Sequence, residues 1–150
     1  MNTRPTAIGS AVLTRALLAR LDATFGAMPR TVVDGERTVV TFPAWNEEVG
    51  DLAIEVFGDE LVVSIGRFTH PHFDAPDADD GDEARAARLA DRAVAFVRDV
   101  FADRVEFYGN ARGGACRPRG GPHRGWVSRW WFGPKTYVWS GPLPDADVAP

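Results

Sequence analysis

Two of the chain's three histidines stand one residue apart in the run Phe68-Thr69-His70-Pro71-His72-Phe73-Asp74. On a strand, residues i and i+2 face the same way, roughly 6.5–7 Å apart along it. Two imidazoles placed so can converge on one zinc or iron ion, and Asp74 joins their face if the strand continues. His70, His72 and Asp74, completed by His123 from a distant basic stretch, form the candidate metal site. In that reading the neighbouring arginines hold an anionic substrate near the metal.

The order H-x-H-x-D resembles the opening of the metallo-β-lactamase motif. It departs from it at Ala75, where that family has a histidine. Pro71 has no N–H to give a ladder, which places it at a strand end or edge. The competing reading is therefore a strand terminus carrying two surface histidines. The six acids from Asp74 to Glu83 do not make a calcium loop. With Gly81 at the glycine position of an EF-hand, position one falls on Pro76. They suit the start of a helix: Asp80 and Glu83 have capping-box spacing, and Asp82 and Glu83 favour the positive end of its dipole.

The stretch Gly109–Gly125, GNARGGACRPRGGPHRG, holds the single cysteine among arginines. A phosphatase loop needs C-x5-R, and Pro122 occupies the arginine position after Cys116. A phosphate-binding P-loop needs Lys and Ser or Thr after its second glycine, but Ala115 and Cys116 follow Gly114. The arginines would nonetheless lower the thiol pKa if they faced it. Read as a long loop, this stretch supplies Arg112, Arg117, Arg119 and Arg124 as candidate binding residues. Trp126 and Trp130 just beyond it are the aromatic partners. Arginine beside aromatics stacks on bases, sugars or protein surfaces.

The remaining sequence must position these groups. Apolar residues spaced three and four apart predict a helix over about Ile8–Phe25, stopping at Gly26. The same period predicts a helix over about Asp82–Asp103, with Ala86, Leu89, Ala93, Val97 and Val100 inward and Arg85, Arg88 and Arg92 outward. RTVVDGERTVVTF reads as a hairpin turning on Asp34-Gly35. DLAIEVFGDELVVSIGRF reads as another, turning on Gly58-Asp59. RVEFYGN, WVSRWWF and KTYVWSG read as three more strands. The order α-β-β-β-β-α-β-β-β implies one α+β domain over 1–150, a mainly antiparallel sheet of about five to seven strands with two helices on one face. Residues 1–6 and 142–150 would be extended termini.

At 150 residues the chain buries enough surface to need no disulfide or metal staple. A net charge of −4 weighs against general nucleic-acid binding. It conceals an asymmetry, because Arg104–Lys135 contains seven bases and one acid. One cysteine fits a reducing, cytoplasmic setting. No apolar run reaches the ~20 residues that span a bilayer. Sixteen arginines beside one lysine fit a GC-rich bacterial source. The expectation is a small binding protein, of inhibitor, adaptor or immunity-like type, rather than an enzyme. A protein partner is favoured over nucleic acid, with no membrane partner and no cofactor. The alternative is the zinc- or iron-dependent enzyme built on His70 and His72.

Overall fold

The alternation of Leu52, Ile54, Val56 with Leu61, Val63, Ile65 produces two antiparallel strands, β3 (Leu52–Phe57) and β4 (Glu60–Ile65). Phe57 stands opposite Glu60, so Gly58-Asp59 is the whole turn. Gly58 takes φ 62°, the positive value that two-residue hairpin turns require at their first position. All six alternating side chains are buried. The computed structural model that shows this describes residues 8–74, 81–121 and 124–144.

β1 (Thr31–Val33) and β2 (Val39–Phe42) add the second predicted hairpin. Its turn is longer than Asp34-Gly35, because Val33 pairs with Val39 and five residues lie between. Thr38 sets that length. Its carbonyl accepts from the Val56 N–H at 2.9 Å, its hydroxyl bonds Asp34 at 3.0 Å, and its side chain is buried. β5 (His72–Asp74) completes a sheet ordered β1-β2-β3-β4-β5.

α1 (Ser10–Phe25) and α2 (Asp82–Phe101) lie side by side on one face of this sheet. Leu13, Leu17 and Leu21 of α1 and Ala86, Leu89, Ala93, Val97 and Val100 of α2 are buried against β2, β3 and β4. The alanines let the two helix backbones approach, and the pairs Arg15–Glu83 and Arg20–Asp91 bridge them at the surface. Gly81 is the N-cap of α2, without a side-chain cap bond, and Asp82 and Glu83 occupy its first turn. Asp80, the expected cap, lies outside the described residues. Arg85, expected on the outer face, is buried, with its guanidinium 3.7 Å from Asp82.

The α+β class and antiparallel pairing hold, but the strands divide into two sheets. The second sheet is ordered β7-β6-β8-β9, from β6 (Val105–Asn110), β7 (Gly113–Pro118), β8 (Tyr137–Val138) and β9 (Gly141–Pro142). Within the expected Gly/Arg loop, Gly113–Pro118 is thus a strand, pairing with β6 from Val105↔Pro118 to Asn110↔Gly113. The expected strand WVSRWWF is instead a helix, α3 (Trp126–Phe132). Residues 142–144 are not a free tail. Pro142 is in β9, and the Leu143 N–H donates to the Thr136 carbonyl at 2.8 Å.

Phe68 joins the two sheets. Its ring lies 5.3 Å from Phe107 of β6 and 4.8 Å from Tyr137 of β8. Its carbonyl presses against the paired residues Gly109 and Gly114. A Cβ on Gly114 would overlap the Phe68 carbonyl oxygen, and one on Gly109 would sit 3.0 Å from it. These glycines serve backbone packing. Gly114→Ala is expected to cost on the order of 3 kcal/mol or more. Gly35→Ala, where a Cβ meets nothing within 4 Å, should change stability by less than about 0.5 kcal/mol. Urea unfolding of the two variants checks this; equal midpoints would refute the packing role.

Candidate functional site

α3 leaves its large apolar side chains in solvent. Trp126 is 79% exposed, Val127 55%, Trp130 72% and Trp131 45%, and no residue of the helix is buried. Trp126 and Trp130, like Val127 and Trp131, are four residues apart and share one surface of the helix. The inner contact is Phe132, whose ring lies 5.8 Å from Tyr108 of β6.

Seven residues are too few for a helix to persist on its own propensity, so tertiary bonds must hold it. Arg124 provides most of them. Its guanidinium donates to the carbonyls of Ser128 and Gly133 at 3.0 Å each and of Lys135 at 3.3 Å. It also reaches the hydroxyls of Ser128 and Thr136, and it lies 3.6 Å above the Tyr108 ring. The cation thus sits among carbonyls of the helix and the turn after it, where the helix dipole favours positive charge. Burial lowers the Arg124 pKa, and Tyr108 opposes the shift. Asn110 adds a second clasp, its amide donating to the Trp131 carbonyl at 2.8 Å.

The four candidate arginines therefore separate. Arg124 is turned inward and positions α3. Arg117 pairs across the strands with buried Glu106, its Nε and Nη2 2.9 and 2.8 Å from the same carboxylate oxygen. Arg112 is exposed, its guanidinium 5.3 Å from the Trp131 ring. Arg119 is exposed at the end of the β6–β7 hairpin. The structure brings Arg112 together with the tryptophans of α3, and not the whole basic set.

His70 and His72 do come together, with ring centroids 5.6 Å apart. His72 Nδ1 lies 3.2 Å from Glu60 Oε2, a hydrogen bond that becomes an ion pair when the imidazole is protonated. Asp74 stands opposite Glu60 in the ladder, and its carbonyl accepts from Arg92 at 2.9 Å. Phe73 turns the other way, onto Phe96 of α2 at 5.6 Å. Among the described residues no three His, Cys, Asp or Glu side chains are grouped to hold a metal. His123, the proposed further ligand, lies outside them.

Cys116 faces Thr69, whose side chain bonds its sulfur, and not the arginines. Burial raises the thiol pKa, with the Thr69 bond opposing. The arginines therefore do not lower the thiol pKa, as they would if they faced it.

The tryptophan that the sequence reading passed over is Trp45, 78% exposed between β2 and β3. It stands far in sequence from the other tryptophans, and only the fold puts it beside Trp139 at one pocket. No family model, curated protein or solved structure matches the chain. Among the described residues, no helix is long and apolar enough to cross a membrane.

Two outcomes follow from the buried groups. Because its pKa is raised, Cys116 holds less thiolate at any given pH than free cysteine, whose pKa is about 8.5. Its alkylation by iodoacetamide at pH 8 should be at least about tenfold slower than that of glutathione, with a rate midpoint at higher pH. Arg124→Met should lose about 2 kcal/mol or more, since several charge-assisted bonds go unmade. Arg124→Lys should recover little, because an ammonium lacks the planar fork. Thermal unfolding with near-UV circular dichroism of the tryptophans measures both; an intact tryptophan signal in Arg124→Met would refute the clasp.

Proposed function

We propose that the chain is a protein-interaction module whose docking element is α3. The observation that carries this reading is the exposure of Trp126, Val127, Trp130 and Trp131 on one short helix. Tryptophan is the residue most enriched at the energetic centres of interfaces, and contiguous exposed apolar surface on a small domain marks a contact site.

Rigidity supports the same reading. Arg124 and Asn110 hold α3 from beneath, so its outer face loses little freedom on docking, which favours affinity. Arg112 stands over Trp131, and the surrounding sequence is basic. The partner that fits is a protein surface with an apolar groove edged by carboxylates, receiving α3 as a helix in a groove. The net charge of −4 opposes a nucleic acid as the alternative occupant.

A photoreactive amino acid at position 127 should cross-link to one discrete partner in the native cell. Trp130→Ala should lower affinity for that partner by about thirtyfold or more. His70→Ala combined with His72→Ala should leave it unchanged. Arg112→Ala should weaken it mainly at low salt, as an interface-rim charge does. Cross-linking no stronger than from a probe at position 59, or tight binding of a mixed-sequence oligonucleotide lost in Trp130→Ala, would overturn the reading.

A further inference from the structure

A second, independent feature lies where the end of α1, the β2–β3 connection and the strand ends around Trp139 meet. It is a pocket of about 530 Å³, within the size range of small-molecule sites. We propose that it binds an organic cation with an apolar body, such as an alkylated ammonium group.

The walls are aromatic. Phe42, Phe101 and Trp139 line the pocket as a continuous set, with ring centroids 5.1 Å apart for Phe42–Phe101 and 5.0 Å for Phe101–Trp139. Met28 and Trp45 complete the lining. Trp139 is buried and belongs to the core, whereas Trp45 is 78% exposed and stands at the mouth. An indole that contributes little to the core and borders an open aromatic pocket is placed to close over a ligand. The faces of such rings carry negative potential and attract cations.

The polar groups select the same charge. Ser140 lines the pocket, and its hydroxyl proton is committed to Asp103, at 2.6 Å. A second bond from the Ser140 N–H to the other Asp103 oxygen, at 2.9 Å, locks that arrangement. The hydroxyl proton of this lining residue is therefore not free for an anion, and the Asp103 carboxylate lies 2.6 Å from its oxygen. The connection carrying Trp45, residues 43–51, has Glu47, Glu48 and Asp51 and no base. No arginine lines the pocket, and of those flanking its lining residues Arg30 pairs with Asp22 and Arg104 with Asp99, while Arg98 is exposed on α2. An anion would meet acceptors and carboxylates, and a neutral apolar ligand would use the rings but not the charge.

Three ligands of one shape separate these cases: choline, its neutral carbon isostere 3,3-dimethylbutan-1-ol, and the anion 3,3-dimethylbutanoate. Each is titrated into the full chain and followed by the ¹H–¹⁵N indole signals. Choline should bind saturably and at least about tenfold more tightly than the neutral isostere, with no saturation by the anion. Trp45→Ala, exposed enough to leave the fold intact by circular dichroism, should weaken choline binding about tenfold or more. Asp103→Asn should narrow the cation-to-neutral ratio. Trp130→Ala should change nothing, which separates this site from the α3 surface. Equal or tighter binding of the neutral compound, preference for the anion, no saturable choline binding, or full binding by Trp45→Ala would each overturn the proposal.

Discussion

The contact on which both sheets depend is that of Phe68 with the β6–β7 ladder. Its ring fills the space between Phe107 and Tyr137, and its carbonyl lies so close to Gly114 that no side chain fits there without rearrangement, while at Gly109 the backbone of Gly113 and Gly114 is closer still than that carbonyl. A buried phenylalanine in such a place contributes about 3–5 kcal/mol relative to alanine. The consequence reaches further than that number. The segment held by Phe68 also carries Thr69, which bonds Cys116, and leads into His70 and His72. The thiol's burial against Thr69 and the position of the two histidines both follow from how the sheets are joined.

Where the fold was legible, local pattern and tertiary demand agreed. The strands at 52–57 and 60–65 alternate strictly, and a glycine stands where the turn needs positive φ. The two long helices repeat at three and four, and their apolar stripes are the buried faces. Where it was not legible, distant groups decided. Gly113–Pro118 has no β-branched residue and two leading glycines, so nothing local marks it as a strand. Its partner β6 and the Phe68 carbonyl make it one, by requiring a flat, side-chain-free approach. WVSRWWF is aromatic and seven residues long, too short to display a helical period. It becomes α3 because Arg124, two residues before it, and Asn110, sixteen before it, take its carbonyls.

The candidate site was legible to the same extent. Composition named arginines with Trp126 and Trp130, whereas the ring that Arg112 stands over is Trp131. Composition does not distinguish an arginine that meets a partner from one that meets its own chain. Arg124 has five internal acceptors, and Arg117 has Glu106. What sets their fates is the distance to unsatisfied carbonyls and carboxylates, a property of the folded chain. The histidines show the converse. Spacing alone brings His70 and His72 side by side, but the carboxylate that reaches His72 is Glu60 from the neighbouring strand, twelve residues earlier.

Five tryptophans in one small domain make the division of labour among them physically informative. Trp139 is buried on Phe101, where one ring serves both the core and the wall of the pocket. The three on α3 share a helix whose inner face is already occupied by Phe132 and the Arg124 clasp, so no rotation of that helix can bury them within the chain. Trp45 is exposed for a different reason: it lies on a connection whose buried anchor is Val49, and its indole borders a pocket instead of projecting from a helix. Convex exposure suits a macromolecular partner, because only an extended surface can cover it. Concave exposure suits a small ligand, because the pocket already supplies most of the enclosing wall. Apolar side chains of one type thus occupy two distinct physical situations, separated by the shape of the surface that the backbone gives them.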